Sequence, residues 1–253
     1  MAQNTQSGAW QELDLAVVDV ETTGLDPGTD RVIEVGVVHM RGGEVVDTYQ
    51  SLVNPQRDVP EEVERITGIK AADLVTAPSF AEVAADVQAA LEGKVFVAYN
   101  LAFDRAFVRG ELERCGFNWH DPPYIDPLIF VRELHRNQGS KRLAAVAARL
   151  GISLENAHRA ADDAEAAGRV LYALASQLPQ QLDDLIMLQS QWEAQHANEM
   201  ASWRNKRESR FDDVGAFDAA ERGNALGPAY IYGEDTDPVR AMFTHLPDSG
   251  SRR

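Results

Sequence analysis

One cysteine, Cys115, is the only thiol in 253 residues. That excludes an internal disulfide framework and any zinc site built on thiolates. No apolar run approaches the roughly 20 residues of a membrane-spanning helix. The first ten residues, MAQNTQSGAW, lack the charged-then-apolar layout of a secretion signal. The expectation is a soluble, cytoplasmic protein with no membrane partner. Positive charge is also scarce: 24 Lys and Arg stand against 40 Asp and Glu, a net charge of −16. A protein that gripped a long duplex through Lys and Arg would be basic. If the substrate is a polyanion, bound cations must supply the local positive charge, and the contact must be short.

What is present is 44% hydrophobic residues, enough for one well-filled core with some chain left over. Leu13–Glu21 reads as a first strand and Thr22–Asp30 as a turn-rich segment. Arg31–Met40 and Glu44–Val53 read as two further strands joined at Arg41-Gly42-Gly43, a hairpin signal. These three form an antiparallel unit with the most apolar strand, the first, at its centre. Pro60–Ile66 reads as a short acidic helix halted at Gly68. Ser79 with Glu82 three residues on is a capping-box signature, and Val83, Val87 and Leu91 follow at helical spacing. Lys94–Tyr99 is a fourth strand and Tyr124-Ile125 a fifth. Helices are expected over Leu101–Cys115, Pro127–His135, Lys141–Leu150 and Arg159–Leu178. Strands first, then strands alternating with helices, predict an α/β fold, a mixed five-stranded sheet flanked by helices. Residues 1–12 read as a polar tail and 13–178 as the main domain. Residues 179–207 form a Gln-rich helix striped by Leu182, Leu185, Ile186, Trp192 and Trp203, and 208–253 an irregular acidic tail.

The acids carry the chemistry. Asp19 and Glu21 end an apolar strand, and residues two apart in a strand share a face. On their own they read equally as a solvated strand end or as a cation site, because burying two like charges requires relief. In the helix after Lys94–Tyr99, Asp104 shares a stripe with Leu101, Val108, Leu112 and Cys115, while Arg105 and Arg109 lie toward water. Asp163 lies on the small-residue face of Ala160, Ala164, Ala167 and Leu171. Asp162 lies outside that face, and Glu165 and Arg169 are placed for an i,i+4 pair. Four inward carboxylates on three segments balance two divalent ions. All-oxygen ligands suit Mg²⁺ or Mn²⁺, and two such ions about 4 Å apart suit phosphoryl displacement. His158 is by position alone a loop residue; near a site of this kind, a neutral imidazole can take a proton from water.

Together these residues resemble the DEDDh exonucleases, the superfamily that includes the proofreading epsilon subunit of bacterial replicative polymerase. The matching motifs are Val18-Asp19-Val20-Glu21-Thr22-Thr23-Gly24-Leu25, then Ala98-Tyr99-Asn100-Leu101-Ala102-Phe103-Asp104, then His158-Arg159-Ala160-Ala161-Asp162-Asp163. The resemblance implies a ribonuclease-H-like fold and a 3′→5′ exonuclease that releases 5′-mononucleotides from single-stranded DNA 3′ ends in proofreading or repair. It implies Asp19, Glu21, Asp104 and Asp163 as metal ligands for two Mg²⁺ or Mn²⁺ ions and His158 as general base. Thr22, Thr23, Gly24 and Leu25 would hold the terminal nucleotide, with Tyr99, Asn100 and Phe103 beside it. Phe103 reads equally as a core partner of Phe107. Tyr99 stands where many members carry His, and it can donate a hydrogen bond but not imidazole's charge. The alternatives are an RNA-trimming exoribonuclease or a non-catalytic nuclease-like binding module. A polymerase or other protein partner is expected through the C-terminal extension, although Gln181-Leu182-Asp183-Asp184-Leu185 is a poor sliding-clamp peptide.

Overall fold

The computed structural model describes residues 8–154 and 158–212. Its five-stranded sheet has the order β3-β2-β1-β4-β5. Strands β1 (Leu15–Thr22), β2 (Val32–Arg41) and β3 (Glu44–Leu52) are antiparallel neighbours. β4 (Val95–Val97) and β5 (Tyr124–Ile125) run parallel to β1 on its other side. The mixed sheet and central first strand are as the sequence leads one to expect. The β2–β3 hairpin turns at Gly42 and Gly43, whose φ values of 62° and 85° lie where side chains are disfavoured.

The helices are α1 (Glu61–Thr67), α2 (Ala71–Leu74), α3 (Phe80–Leu91), α4 (Leu101–Arg114), α5 (Pro127–Leu134), α6 (Leu143–Leu150), α7 (Ala160–Leu174) and α8 (Leu182–Asp212). Ser79 and Glu82 form the expected capping box at α3, and Gly68 closes α1 in the left-handed region. The single turn of α2 has too few residues to show a period in the sequence. The helix expected to reach Leu178 gives way after Leu174 to a 3-10 turn over Ala175–Gln177.

Strand alternation divides the core into two layers. Leu15 and Val17 face a layer with Phe130, Val146, Leu171, Leu174 and Leu185, supplied by α5 to α8. Ala16, Val18 and Val20 face the opposite layer with Val83, Val87, Phe107, Val108 and Leu112 of α3 and α4. Period-two side-chain direction thus places Asp19 and Glu21 on the α7 side of the sheet.

Within the segment expected as a polar tail, Trp10 is fully buried. Its indole donates to the Pro179 carbonyl at 2.9 Å, and its ring lies 5.2 Å from that of Tyr172. Ala9 bridges to Gln181 in antiparallel fashion. A large aromatic with its N–H satisfied is well suited to an interior position. One Trp in a polar decapeptide carries no period, so the pattern alone could not show this docking.

No described helix is long and apolar enough to cross a membrane. Leu182 and Leu185 are core residues, so the apolar positions of the clamp-like segment are not available on the surface. The Trp203 side chain and residues 213–253, on which the partner expectation partly rests, lie outside the described residues.

Candidate active site

The site forms where β1 outruns β4. Pairing between the two ends at Val17–Val97, so the β4 side of β1 is open beyond that point. Asp104, buried in the first turn of α4, occupies the opening: its Oδ1 accepts the N–H of Val20 at 3.1 Å. An acid from the α4 layer thereby comes round the sheet edge to the strand between Asp19 and Glu21. Burial of that carboxylate is offset by the backbone donor it meets.

The other side of β1 is set by β2. Asp19 lies opposite Gly36, and Glu21 lies opposite Glu34. Both β2 residues contact the start of α7. Glu34, with 0% exposure, accepts from Arg159 Nη2 at 2.8 Å and Nε at 3.1 Å. It also accepts from the Ala160 N–H at 3.1 Å and from Gln50 Nε2 at 2.7 Å. Two guanidinium bonds to one buried carboxylate make a directional, charge-assisted pair, and its burial makes loss of either partner expensive. Gly36 leaves room for the helix itself, since a Cβ there would lie 2.4 Å from the Ala161 nitrogen. The first turn of α7 therefore sits directly over the neighbours of Asp19 and Glu21.

That placement brings Asp163 in. Its Oδ2 accepts the N–H of His158 at 2.8 Å, which accounts for the five-residue spacing: the carboxylate folds back from the helix to the residue before its cap. His158 has φ of 71°, a left-handed conformation that is uncommon for a non-glycine residue. Ligand-type atoms of Glu21, His158 and Asp163 all lie within 4.8 Å of one another. Glu21 is only 2% exposed, and His158 and Asp163 are half-buried. Asp19 and Asp104 are not in that tight group; the first is on the same strand face two residues from Glu21, and the second is held at Val20. The carboxylate oxygens suit a hard divalent cation, with the His158 imidazole beside them.

The turn after Glu21 is internally bonded. The Thr22 hydroxyl donates to the Gly24 carbonyl at 2.6 Å. The Thr23 hydroxyl donates to Asp30 Oδ1 at 3.2 Å and accepts the Arg31 N–H at 3.1 Å. Each hydroxyl has one proton to give, so both are committed to shaping the loop. Leu25 is half-exposed at its tip. The β1–β2 register slips between Glu21 and Thr22, and Glu111 of α4 accepts the Val32 N–H at 3.2 Å. A bulge beside a site re-aims side chains, and no residue pattern marks this one.

Tyr99 donates its hydroxyl to the Lys141 carbonyl, tying the end of β4 to the loop before α6. Asn100 stands at the N-cap position of α4 with φ of 69° and makes no side-chain cap bond there. Phe103 is half-exposed, and its ring lies tilted against that of Phe107 with centroids 4.7 Å apart, so it contacts the core and the surface at once. Arg105, expected toward water, is largely covered; it pairs with Asp121 and lies 4.9 Å from the Tyr124 ring centroid. Arg109 and Glu113 pair at the surface, as do Glu165 and Arg169. Asp162 is half-exposed and, with Arg159, Gln50, Thr67 and Asp73, lines a groove of about 540 Å³ beside the site.

Asp126 was not singled out from sequence. Nothing in its dipeptide with Pro127 marks it beyond an ordinary helix cap. Its carboxylate accepts three backbone N–H groups: Asn100 at 2.9 Å, Leu101 at 3.0 Å and Leu128 at 2.9 Å. One side chain thus caps both α4 and α5. Burial pushes its acidity down, raising the pKa above the usual carboxylate value, while those N–H bonds and Arg132 oppose the rise.

Comparison with known proteins gives the family and the fold. The exonuclease family description RNase_T matches residues 16–171. A 3′-5′ exonuclease DinG of Staphylococcus epidermidis is 35% identical over 156 residues, covering 62% of this chain but 17% of that protein. A PolC-type DNA polymerase III of Thermotoga maritima is 38% identical over 155 residues, covering 61% of this chain and 11% of the polymerase. The chain thus spans less than a fifth of these relatives. In fold it is similar to E. coli Exonuclease I solved with a dT13 oligonucleotide, with TM-score 0.58, 20% identity, and coverage of 64% of this chain and 41% of that one. With the family match extending over more than half its length, from the first strand to the helix that carries Asp163, the chain belongs to the exonuclease family.

Proposed function

We propose that this protein is a divalent-metal-dependent 3′→5′ exonuclease that removes 5′-mononucleotides from single-stranded DNA ends. The observation that carries the reading is the convergence of Glu21, His158 and Asp163 within 4.8 Å, with Asp19 on the same strand face and Asp104 fixed at Val20. Asp19, Glu21, Asp104 and Asp163 would hold two Mg²⁺ or Mn²⁺ ions. When bound, such ions polarise the attacking water and stabilise the leaving 3′ oxygen.

The remaining roles belong to the chain. His158 takes the proton of the attacking water on an imidazole nitrogen, and its backbone N–H, bonded to Asp163, fixes where the ring stands. The Thr22–Leu25 loop offers its backbone and the Leu25 side chain to the terminal nucleotide, its hydroxyls holding the loop's shape. The half-exposed edge of Phe103 gives a base a stacking surface without added positive charge. Asn100 lies beside it at the helix start, and Tyr99 sets the position of the neighbouring loop. A single-stranded end suits a chain of net charge −16, which has little to offer a long duplex backbone. The DinG relative supports the 3′→5′ reaction, and the fold shared with an Exonuclease I bound to a dT13 oligonucleotide favours a single-stranded DNA end. The PolC-type relative, in which the matched segment is part of a DNA polymerase III, favours a polymerase context for this chain.

A 5′-labelled oligonucleotide incubated with the full chain and Mg²⁺ or Mn²⁺ tests the proposal. A one-nucleotide ladder, lost with chelator and in Asp19→Ala and Asp163→Asn, is the expected outcome. Near-normal cleavage by either folded variant would overturn the assignment. Matched DNA and RNA strands in the same assay rank the two substrates.

A further inference from the structure

We propose that α8, which lies beyond the family-matched segment, is a positioning element for Asp104 and acts through Gln189 and Asp126. This rests on the exonuclease reading for its effect on rate, but not for its structural content.

The contact row of α8 is Leu182, Leu185, Gln189, Trp192 and His196, spaced three and four apart on one face. Leu182 and Leu185 enter the core. Trp192 meets Phe130 of α5 edge-to-face with centroids 5.9 Å apart. His196 pairs with Glu133 of α5, and Arg136 lies 3.7 Å from Glu199. In the middle of this row stands a polar residue that is 1% exposed, Gln189. A buried amide is costly unless it is bonded, and this one accepts the N–H of Asp126 at 2.7 Å through Oε1.

That N–H has no strand to receive it. β5 is the sheet edge and ends at Ile125. By accepting it, Gln189 fixes the backbone from which the Asp126 carboxylate reaches Asn100 and Leu101, the first N–H groups of α4. Asp104 lies in the next stretch of that same first turn. The linkage runs from Gln189 to the Asp126 backbone, through its carboxylate to the α4 N-terminus, and so to the carboxylate bonded to Val20. If α8 only covered apolar surface, another leucine at 189 would serve; the acceptor there points to control of Asp126.

The experiment compares the full-length chain with Gln189→Met, which keeps the volume and removes the amide acceptor. Trp192→Leu serves as the control that weakens α8 packing and leaves the acceptor in place. Three readouts apply: steady-state kinetics on a single-stranded oligonucleotide, the Mn²⁺ concentration for half-maximal activity, and amide hydrogen exchange at Asn100 and Leu101. For Gln189→Met we expect kcat to fall about tenfold with KM little changed, in line with displacement of a group that acts in the transition state. The Mn²⁺ requirement should rise, and Asn100 and Leu101 should exchange faster than the rest of α4. Trp192→Leu should lower stability without this selective exchange. Kinetics, Mn²⁺ response and exchange within twofold of wild type in a folded Gln189→Met would overturn the proposal. Equal selective exchange in both variants would also overturn it, because packing would then be sufficient. Inactivity of the wild-type chain would instead defeat the exonuclease reading, and the exchange comparison would still decide the role of Gln189.

Discussion

Replacing Gly36 by alanine adds one methyl group at the closest approach of β2 to α7. The new Cβ would lie 2.4 Å from the Ala161 nitrogen and 2.5 Å from the Ala160 carbonyl carbon, where ordinary contact begins at 3.4 Å. Those neighbours are backbone and cannot rotate away, so the start of α7 must retreat by about 1 Å. Asp163 and His158 move with it, while Asp19 and Glu21 remain on β1. A misplacement of about 1 Å at reacting groups costs roughly 10²-fold in rate, equivalent to about 2.7 kcal/mol of transition-state stabilisation. Overpacking itself costs about 1–3 kcal/mol of stability. Gly168→Ala supplies the comparison, because its Cβ would meet the Met40 Sδ at 2.3 Å, and a flexible thioether can move aside. Urea denaturation should show both variants folded and destabilised. Mononucleotide release at saturating oligonucleotide should show a large fall in kcat for Gly36→Ala alone. A folded Gly36→Ala with kcat within a few-fold of wild type would refute the claim that β2 sets the position of the α7 acids.

Two further perturbations address stability. Trp10→Ala should cost about 3–5 kcal/mol, the range for emptying a large aromatic site, read as a lower urea midpoint; a change under about 1 kcal/mol would show that the segment is not part of the fold. His135 is buried, and burial together with Arg149 and Lys141 lowers its pKa below the ordinary 6.5. The unfolded chain therefore binds the extra proton first, and stability should decline as pH falls from about 6.5 through the lowered value. Melting temperatures of wild type and His135→Gln between pH 7.5 and 5 should diverge over that window; parallel curves would remove His135 from the account.

The strands, the main helices and the two-sided core follow from patterns that repeat within a few residues. Val83, Val87 and Leu91 show their helix face in the sequence, and Asp19 and Glu21 show their shared strand face. The acids were legible for a related reason, since Asp104 and Asp163 each interrupt a regular inward stripe. What brings them together was not legible. Glu34 is an inward acid on β2 that local pattern reading passes over, because its guanidinium partner Arg159 lies 125 positions away. Asp126 reaches Leu101 across 25 positions and Gln189 reaches Asp126 across 63. The bulge that gives Val32 N–H to Glu111 leaves no trace in composition. Periodicity reports which face a residue occupies; it does not report which donor on another element will meet it there.

The clasp formed by Ala9 and Gln181 has a consequence for the architecture of larger proteins. Bridged residues lie about 5 Å apart, so the start of the segment 9–181 and its end, from which α8 packs back onto the domain, are neighbouring points. A unit with adjoining ends can be spliced into a loop of a host protein at little cost in chain closure. The residues proposed as metal ligands and base all lie between those neighbouring points, while α8 beyond them packs back onto α5 through Gln189 and Trp192. Closeness of the two points suits a fold whose relatives include a polymerase many times its size.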